Sequence, residues 1–150
     1  MNSIDKFIKA QEKDYEVALN EIKGGKKWSH WIWYIFPQLS SLGFSSAAKY
    51  YGIIDLEEAK EYLKNDILRS HLEEITNELL MLPSNDILSI VGYPDNLKIN
   101  SSMTLFYLAS NNELFKKVID KYYNSKMDEN TIKLLEIQKW MRWIRKKRVL

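Results

Sequence analysis

The chain has no cysteine among its 150 residues. This excludes a disulfide framework, thiolate catalysis and cysteine-ligated zinc or iron–sulfur chemistry, and it fits a protein of the reducing cytoplasm. Only two histidines occur, His30 and His71, and neither belongs to an H-x-x-H or H-x-x-x-H pair; there is no EF-hand loop either. No metal and no other cofactor is therefore expected. Glycine and proline are sparse, at five and three residues. None of the glycines builds a phosphate-cradling loop, a dinucleotide fingerprint or a G-x-S-x-G nucleophile elbow. No apolar run reaches the about 18 residues of a membrane-spanning helix. The opening Met-Asn-Ser-Ile-Asp-Lys-Phe lacks the charged-then-apolar layout of a signal peptide.

What is present is ordinary in amount and uneven in placement. Hydrophobic residues make up 45% and charged residues 28%, the balance of a globular protein. The length is that of one domain, able to bury a core without staples. The net charge of +2 conceals a segregation. Lys139, Arg142, Arg145, Lys146, Lys147 and Arg148 fall in the last twelve residues with no acid among them, while residues 1–138 carry 16 Lys and Arg against 20 Asp and Glu, a net of −4. A mildly acidic body therefore carries a basic tail.

Helical periodicity runs through the chain. Ile4, Phe7, Ile8, Gln11, Tyr15, Ala18, Leu19 and Ile22 recur at helical spacing, with only Gln11 breaking the apolar stripe. Ser3 is placed to cap this helix, and Gly24-Gly25 to stop it. Asp55 followed by Glu58 predicts a capping-box start. Further helices are predicted from about Asp66 to Pro83, over Asn85–Val91, from Met103 to Ala109 with Asn100 or Ser101 as cap, from Glu113 to Tyr123, and onward from Asp128. Residues 39–46 read as loop and about 45–51 as a short helix. No strand or hairpin signal and no internal repeat is found. The expectation is an all-α fold over 1–150: a single-domain bundle of eight or nine helices, several of them short.

The densest stretch is Trp28 to Phe36, with three of the five tryptophans, His30, Tyr34 and Phe36 within nine residues. If helical, it is apolar on nearly every side and so belongs in the interior. His30-Trp31-Ile32-Trp33-Tyr34-Ile35-Phe36-Pro37-Gln38-Leu39, followed by Leu42-Gly43-Phe44-Ser45, resembles the signature of a bacterial family known as domain-of-unknown-function family 1810. A second similar stretch is Pro94-Asp95-Asn96-Leu97-Lys98-Ile99-Asn100-Ser101-Ser102-Met103-Thr104-Leu105-Phe106. The resemblance covers about residues 4–135. It implies a compact, mostly helical fold and no particular activity. The basic stretch 136–150 lies beyond it, as an extension.

Candidate chemistry concentrates in the two family-like stretches. His30 is the candidate general acid or base, provided an aromatic-lined cleft desolvates it; the plainer alternative is a histidine satisfied by a buried partner. Trp28, Trp31 and Trp33 can wall a flat ligand, or simply be core. Gln38, at a helix end, can read a polar edge or brace a turn. Lys98, Ser101, Ser102 and Thr104 offer a cation and hydroxyls at a helix start, which suits phosphate or carboxylate; plain N-capping is the alternative. Asp95 can orient His30 or make an Asx turn. His71, among Arg69, Glu73 and Glu74, reads as solvated.

The basic tail suits nucleic-acid phosphate or an anionic surface. Alternatively it docks Trp140, Trp143 and Ile144 on the core and leaves its cations in water. Two functional expectations follow. One is a small anionic or nucleotide-like ligand site between the His30 segment and residues 94–104; if this is an enzyme, metal-independent hydrolysis or transfer fits best. The other is a non-enzymatic binding module whose tail contacts nucleic acid or another acidic partner.

Overall fold

The structure is a computed structural model and describes residues 3–149; Met1, Asn2 and the last residue of the basic extension, Leu150, lie outside the described residues. The fold is all-α, with nine α-helices and one 3-10 turn among the described residues. The one isolated β-bridge there pairs Leu39 with Ile53 in parallel.

Helix α1 (Asp5–Lys23) buries Phe7, Gln11, Tyr15, Ala18, Leu19 and Ile22, the predicted stripe with its polar exception kept inside. Ile4 rather than Ser3 holds the N-cap position. Helix α2 is only Ile32–Ile35. The aromatic block is therefore not one buried helix from Trp28 to Phe36, because residues 28–31 are held in an irregular conformation by side-chain bonds described below. A 3-10 turn, Ser40–Leu42, precedes α3 (Ser46–Tyr50), whose cap Ser45 accepts from Ala48 N. Gly52 lies so close to this turn that an added Cβ would meet the Ser40 Cα at 2.3 Å. The Leu39–Ile53 pairing depends on that approach, with Ile53 N donating to Gln38 O at 2.8 Å and Ser40 N to Ile53 O at 2.9 Å.

Helix α4 (Leu56–Lys64) starts in the predicted capping box: Glu58 N donates to Asp55 Oδ1 at 2.9 Å, and Glu58 Oε1 accepts from Ile54 N at 3.1 Å. Helix α5 (Asp66–Met81) is capped by Asn65 and α6 (Ile87–Val91) by Asp86. Helix α7 (Asp95–Ser110) starts a turn and a half earlier than Asn100 or Ser101 capping requires. Pro94 supplies the turn into the helix and Asp95 the acid favoured in its first turn, so Ser101, Ser102 and Thr104 are mid-helix residues. Helix α8 (Glu113–Tyr122) is capped by Asn112. Helix α9 (Glu129–Val149) begins at Asp128, whose Oδ2 accepts from Thr131 N at 2.9 Å.

Helix α7 is the axis of the packing and touches α4, α6, α8 and α9, while α1 lies on α5 and α2. All six residues from Ser101 to Phe106 are buried. A helix enclosed on every side shows no apolar face by periodicity, which is why its true start does not show as a pattern.

Candidate functional site

The last turn of α1 carries Glu21, and its carboxylate organises the chain beyond Gly25. Trp28 N donates to it at 2.8 Å, Ser29 N at 2.9 Å, Ser29 Oγ at 2.5 Å and the Trp31 indole N–H at 2.9 Å. Burial alone pushes the Glu21 carboxyl up, but the bonds from Ser29, Trp28 and Trp31 outweigh it and hold the group down to about 2. This clamp keeps residues 28–31 out of helix. The three tryptophans lie in different places. Trp31 is 1% exposed, Trp28 is 75% exposed, and Trp33 is half-buried.

Lysines join the second family-like stretch to the first and to the residues just before it. Lys27 Nζ lies 2.9 Å from Asp95 Oδ2, with the two side chains 8% and 15% exposed. The same ammonium donates to Ser29 O at 2.5 Å and stands 5.0 Å from the Trp31 ring centroid. Lys98 Nζ is 3.6 Å from Asp95 Oδ1 and 5.6 Å from the Trp33 ring centroid. Two cations thus share one carboxylate against an aromatic wall, which leaves a local excess of positive charge. Asp95 therefore neither orients His30 nor serves as a turn residue, because both its oxygens face lysines.

Each candidate residue has a definite place. His30 is exposed, and its imidazole makes no hydrogen bond or ion pair to a described residue; only its carbonyl accepts, from Tyr34 Oη at 3.4 Å. Trp31 is sealed in the core and offers no free face. The Trp33 Nε1 and the Ser102 Oγ are shielded from solvent and have no partner among the described residues. Ser102 lies four residues after Lys98, on the same face of α7. Ser101 Oγ donates back to Leu97 O at 3.2 Å. Thr104 Oγ1 accepts from Asp128 N at 2.9 Å and so anchors the start of α9. Gln38 is half-buried, and its carbonyl is engaged by Ile53. Because α7 starts at Asp95, no free backbone N–H groups stand at Ser101 or Ser102, and the helix-start argument for an anion there does not hold. Lys98 is the fourth residue of the helix.

His71 is half-buried and bonded rather than simply solvated. Its ring stacks on Tyr15, centroids 3.7 Å apart and 8° from parallel. Its Nδ1 lies 2.8 Å from Gln11 Oε1. Gln11 Nε2 donates to Tyr34 O at 2.7 Å and to Tyr62 Oη at 3.0 Å. The amide oxygen is thus left as acceptor, and the His71 proton is assigned to Nδ1. Tyr15 Oη donates to Glu74 Oε1 at 2.5 Å, and Tyr34 Oη to Asp14. Burial lowers the His71 pKa, with Glu74 and Glu16 opposing it. This network crosses from α1 to α2, α4 and α5. Its only sequence signal was Gln11, the polar break in an apolar stripe. Lys27 and Glu21, which organise the first cluster, carry no sequence signal of their own.

The tail does not dock as the core alternative supposed. Trp140 and Trp143 are 60% and 55% exposed, and only Ile144 is half-buried. The helix reaches the body through its first half, where Gln138 Nε2 donates to Ile54 O at 2.9 Å. No described helix is long and apolar enough to cross a membrane, and no group of three or more His, Cys, Asp or Glu among the described residues is placed to hold a metal ion.

No curated protein matches the chain. The conserved hypothetical protein Rv1873 from Mycobacterium tuberculosis, known from a crystal structure, is 41% identical and superposes with a TM-score of 0.87, over 89% of this chain and 96% of that one. The family described as Protein of unknown function (DUF1810) matches residues 1–135, both family-like stretches included. The chain therefore belongs to the DUF1810 family, and the second half of α9 extends beyond the matched residues.

Proposed function

We propose that the protein binds a small anionic, nucleotide-like ligand where Trp33 meets the first turns of α7. One observation carries this reading: Trp33 Nε1 and Ser102 Oγ are shielded donors without partners among the described residues, the Trp33 ring stands 5.6 Å from Lys98 Nζ, and Ser102 follows Lys98 by one helical turn. Buried polar groups almost always find partners, so donors left open beside a cation suit an acceptor from outside the chain. The excess of lysine over carboxylate at Asp95 sets the sign of that acceptor. Trp28, exposed in the same segment, suits the flat part of a nucleotide-like molecule, and Gln38 is a further candidate for reading its polar edge. His30 lacks the orienting partner of a general base, which a bound substrate would have to supply. Binding is therefore the primary reading, and metal-independent hydrolysis or transfer at His30 is its extension.

The test is the indole N–H resonance of Trp33 during titration with adenosine monophosphate or inorganic phosphate to about 10 mM, a range that reaches millimolar affinity. A saturable shift that Lys98→Ala abolishes is expected. An unmoved resonance sinks the reading. Ser102→Ala separates ligand use from structure. With no ligand it should leave stability unchanged or raise it by up to ~1 kcal/mol, because an unsatisfied hydroxyl is removed, while it weakens the titration.

The second reading is an acidic partner, such as nucleic acid, for the tail. Its support is the run of six exposed cations from Lys139 to Arg148 with no acid.

A further inference from the structure

The second half of α9 is mostly exposed, with Lys139 and Arg142 bordering a groove against Leu56 and Leu108 of the body. From Lys139 to Arg148 every residue except the half-buried Ile144 is exposed. Ile137, Trp140, Met141 and Ile144 follow i, i+3, i+4, i+7 spacing and so form one stripe. At about 100° per residue, the centre of that stripe lies well round the helix from the side on which Thr131, Leu135 and Gln138 meet the body, while its Met141 edge lines up with Leu134, which packs against the core. The apolar face of α9 thus meets the body in its first half and is mostly exposed in its second. Such an apolar face, rimmed by polar residues and left in water, marks an interaction surface.

The charges indicate what covers it. Trp140, Met141, Ile144, Arg145 and Arg148 border one shallow surface groove, so arginines rim the apolar stripe. Lys147 Nζ lies 5.6 Å from the Trp143 ring centroid. Lys139, Arg142 and Lys146 occupy the remaining sides. The geometry points to an anionic membrane surface as the partner, with this helix end lying flat in the headgroup region and the Ile137–Ile144 stripe turned toward the acyl chains. The inference rests on the acidic-partner reading of the tail and names its class. Nucleic-acid phosphates would engage the cations but leave four large apolar side chains in water. A second copy packed through the stripe would bring six cations against six. A lipid surface buries the stripe, seats the Trp140 indole at the headgroup level and brings Arg145, Lys147 and Arg148, the cations nearest the stripe, to its anionic headgroups. The segment is too short and too charged to span.

The test uses the full chain with vesicles of phosphatidylcholine alone, with vesicles containing about 30% phosphatidylglycerol, and with short duplex DNA, at about 0.1 M salt. Cosedimentation and a blue shift of tryptophan emission are expected with the anionic vesicles alone, both weakening as salt rises. Trp140→Ser with Ile144→Ser should lower that partition by about tenfold or more, with the far-ultraviolet dichroism unchanged. Arg145→Gln with Arg148→Gln, at solvent-exposed positions that leave the fold intact, should lower it by at least about tenfold too. Equal partition into both vesicle types, or partition that ignores the stripe substitutions, overturns the inference. So does binding of duplex DNA without vesicles, although the acidic-partner reading survives that result. If neither DNA nor vesicles bind, both are overturned.

Discussion

Lys27 Nζ stands 2.9 Å from Asp95 Oδ2, joining opposite halves of the chain in a pair that is largely withdrawn from water. Withdrawing two charges costs desolvation that their attraction must offset, and breaking such a pair leaves one charge stranded. Asp95→Asn is therefore expected to destabilise the protein by about 2–4 kcal/mol, since Lys27 loses its carboxylate and Lys98 its neighbour. Urea unfolding provides the number. A combined Lys27→Met and Asp95→Leu variant should recover most of the loss; if it does not, the pair matters through geometry rather than charge.

Glu21 supports the loop that holds Trp28 and Trp31. Its folded carboxyl lies at about 2 against an ordinary 4.5. The depressed value means that its contribution is present above about pH 4.5 and is lost as pH falls toward 2. Glu21→Gln should cost ~2 kcal/mol at neutral pH, because one carboxylate now accepts from four donors. It should also flatten the acid limb of stability between pH 4.5 and 2. Thermal unfolding measured at several pH values checks both.

His71 titrates in the opposite direction. Burial lowers its folded pKa from the ordinary 6.5, so the folded state disfavours the proton. Its contribution is complete above about pH 6.5 and falls as pH drops through that value. Urea midpoints at about pH 7 and pH 5 should differ for the parent and converge for His71→Phe. Equal midpoints in the parent would show that the imidazole is not held neutral.

Gly52 passes within the space a methyl group would need. An added Cβ would meet the Cα and Cβ of Ser40, both at 2.3 Å. Backbone cannot yield as a flexible side-chain end can. Gly52→Ala should therefore destabilise by about 2–3 kcal/mol and loosen the Leu39–Ile53 bridge. Amide exchange at Ile53 and Ser40, whose N–H groups donate across that bridge, reads the local effect directly.

The helices with one buried face were legible because period is a local property. The stripe of α1 and the capping box of α4 need only neighbours within a turn or two, and both stand as predicted. The start of α7 was not legible. Enclosed on all sides, that helix shows no periodic contrast, and Ser101 and Ser102 carry the side chains of caps without the position of caps. Of the candidate site, the sequence pointed to Trp33, Lys98 and Ser102 by residue type. It gave no means of seeing that Asp95 would be taken by two lysines, or that His30 would stand in water without an orienting partner.

The sequence by itself determined the all-α class, most of the helix boundaries, the absence of cysteine chemistry and the segregation of cations into the last twelve residues. Each of these depends on composition or on residues a few positions apart. The tertiary structure decided which apolar stripes are core and which are surface. Spacing shows that Ile137, Trp140, Met141 and Ile144 share a face, but whether that face is covered depends on elements distant in the chain. Here Ile137, Trp140 and Met141 are left exposed and Ile144 is half-buried. The same reason explains Trp28, Trp31 and Trp33. They are three like residues in one short segment; a carboxylate on the preceding helix fixes the backbone at Trp28 and the indole of Trp31, and the three lie exposed, in the core and half-buried respectively.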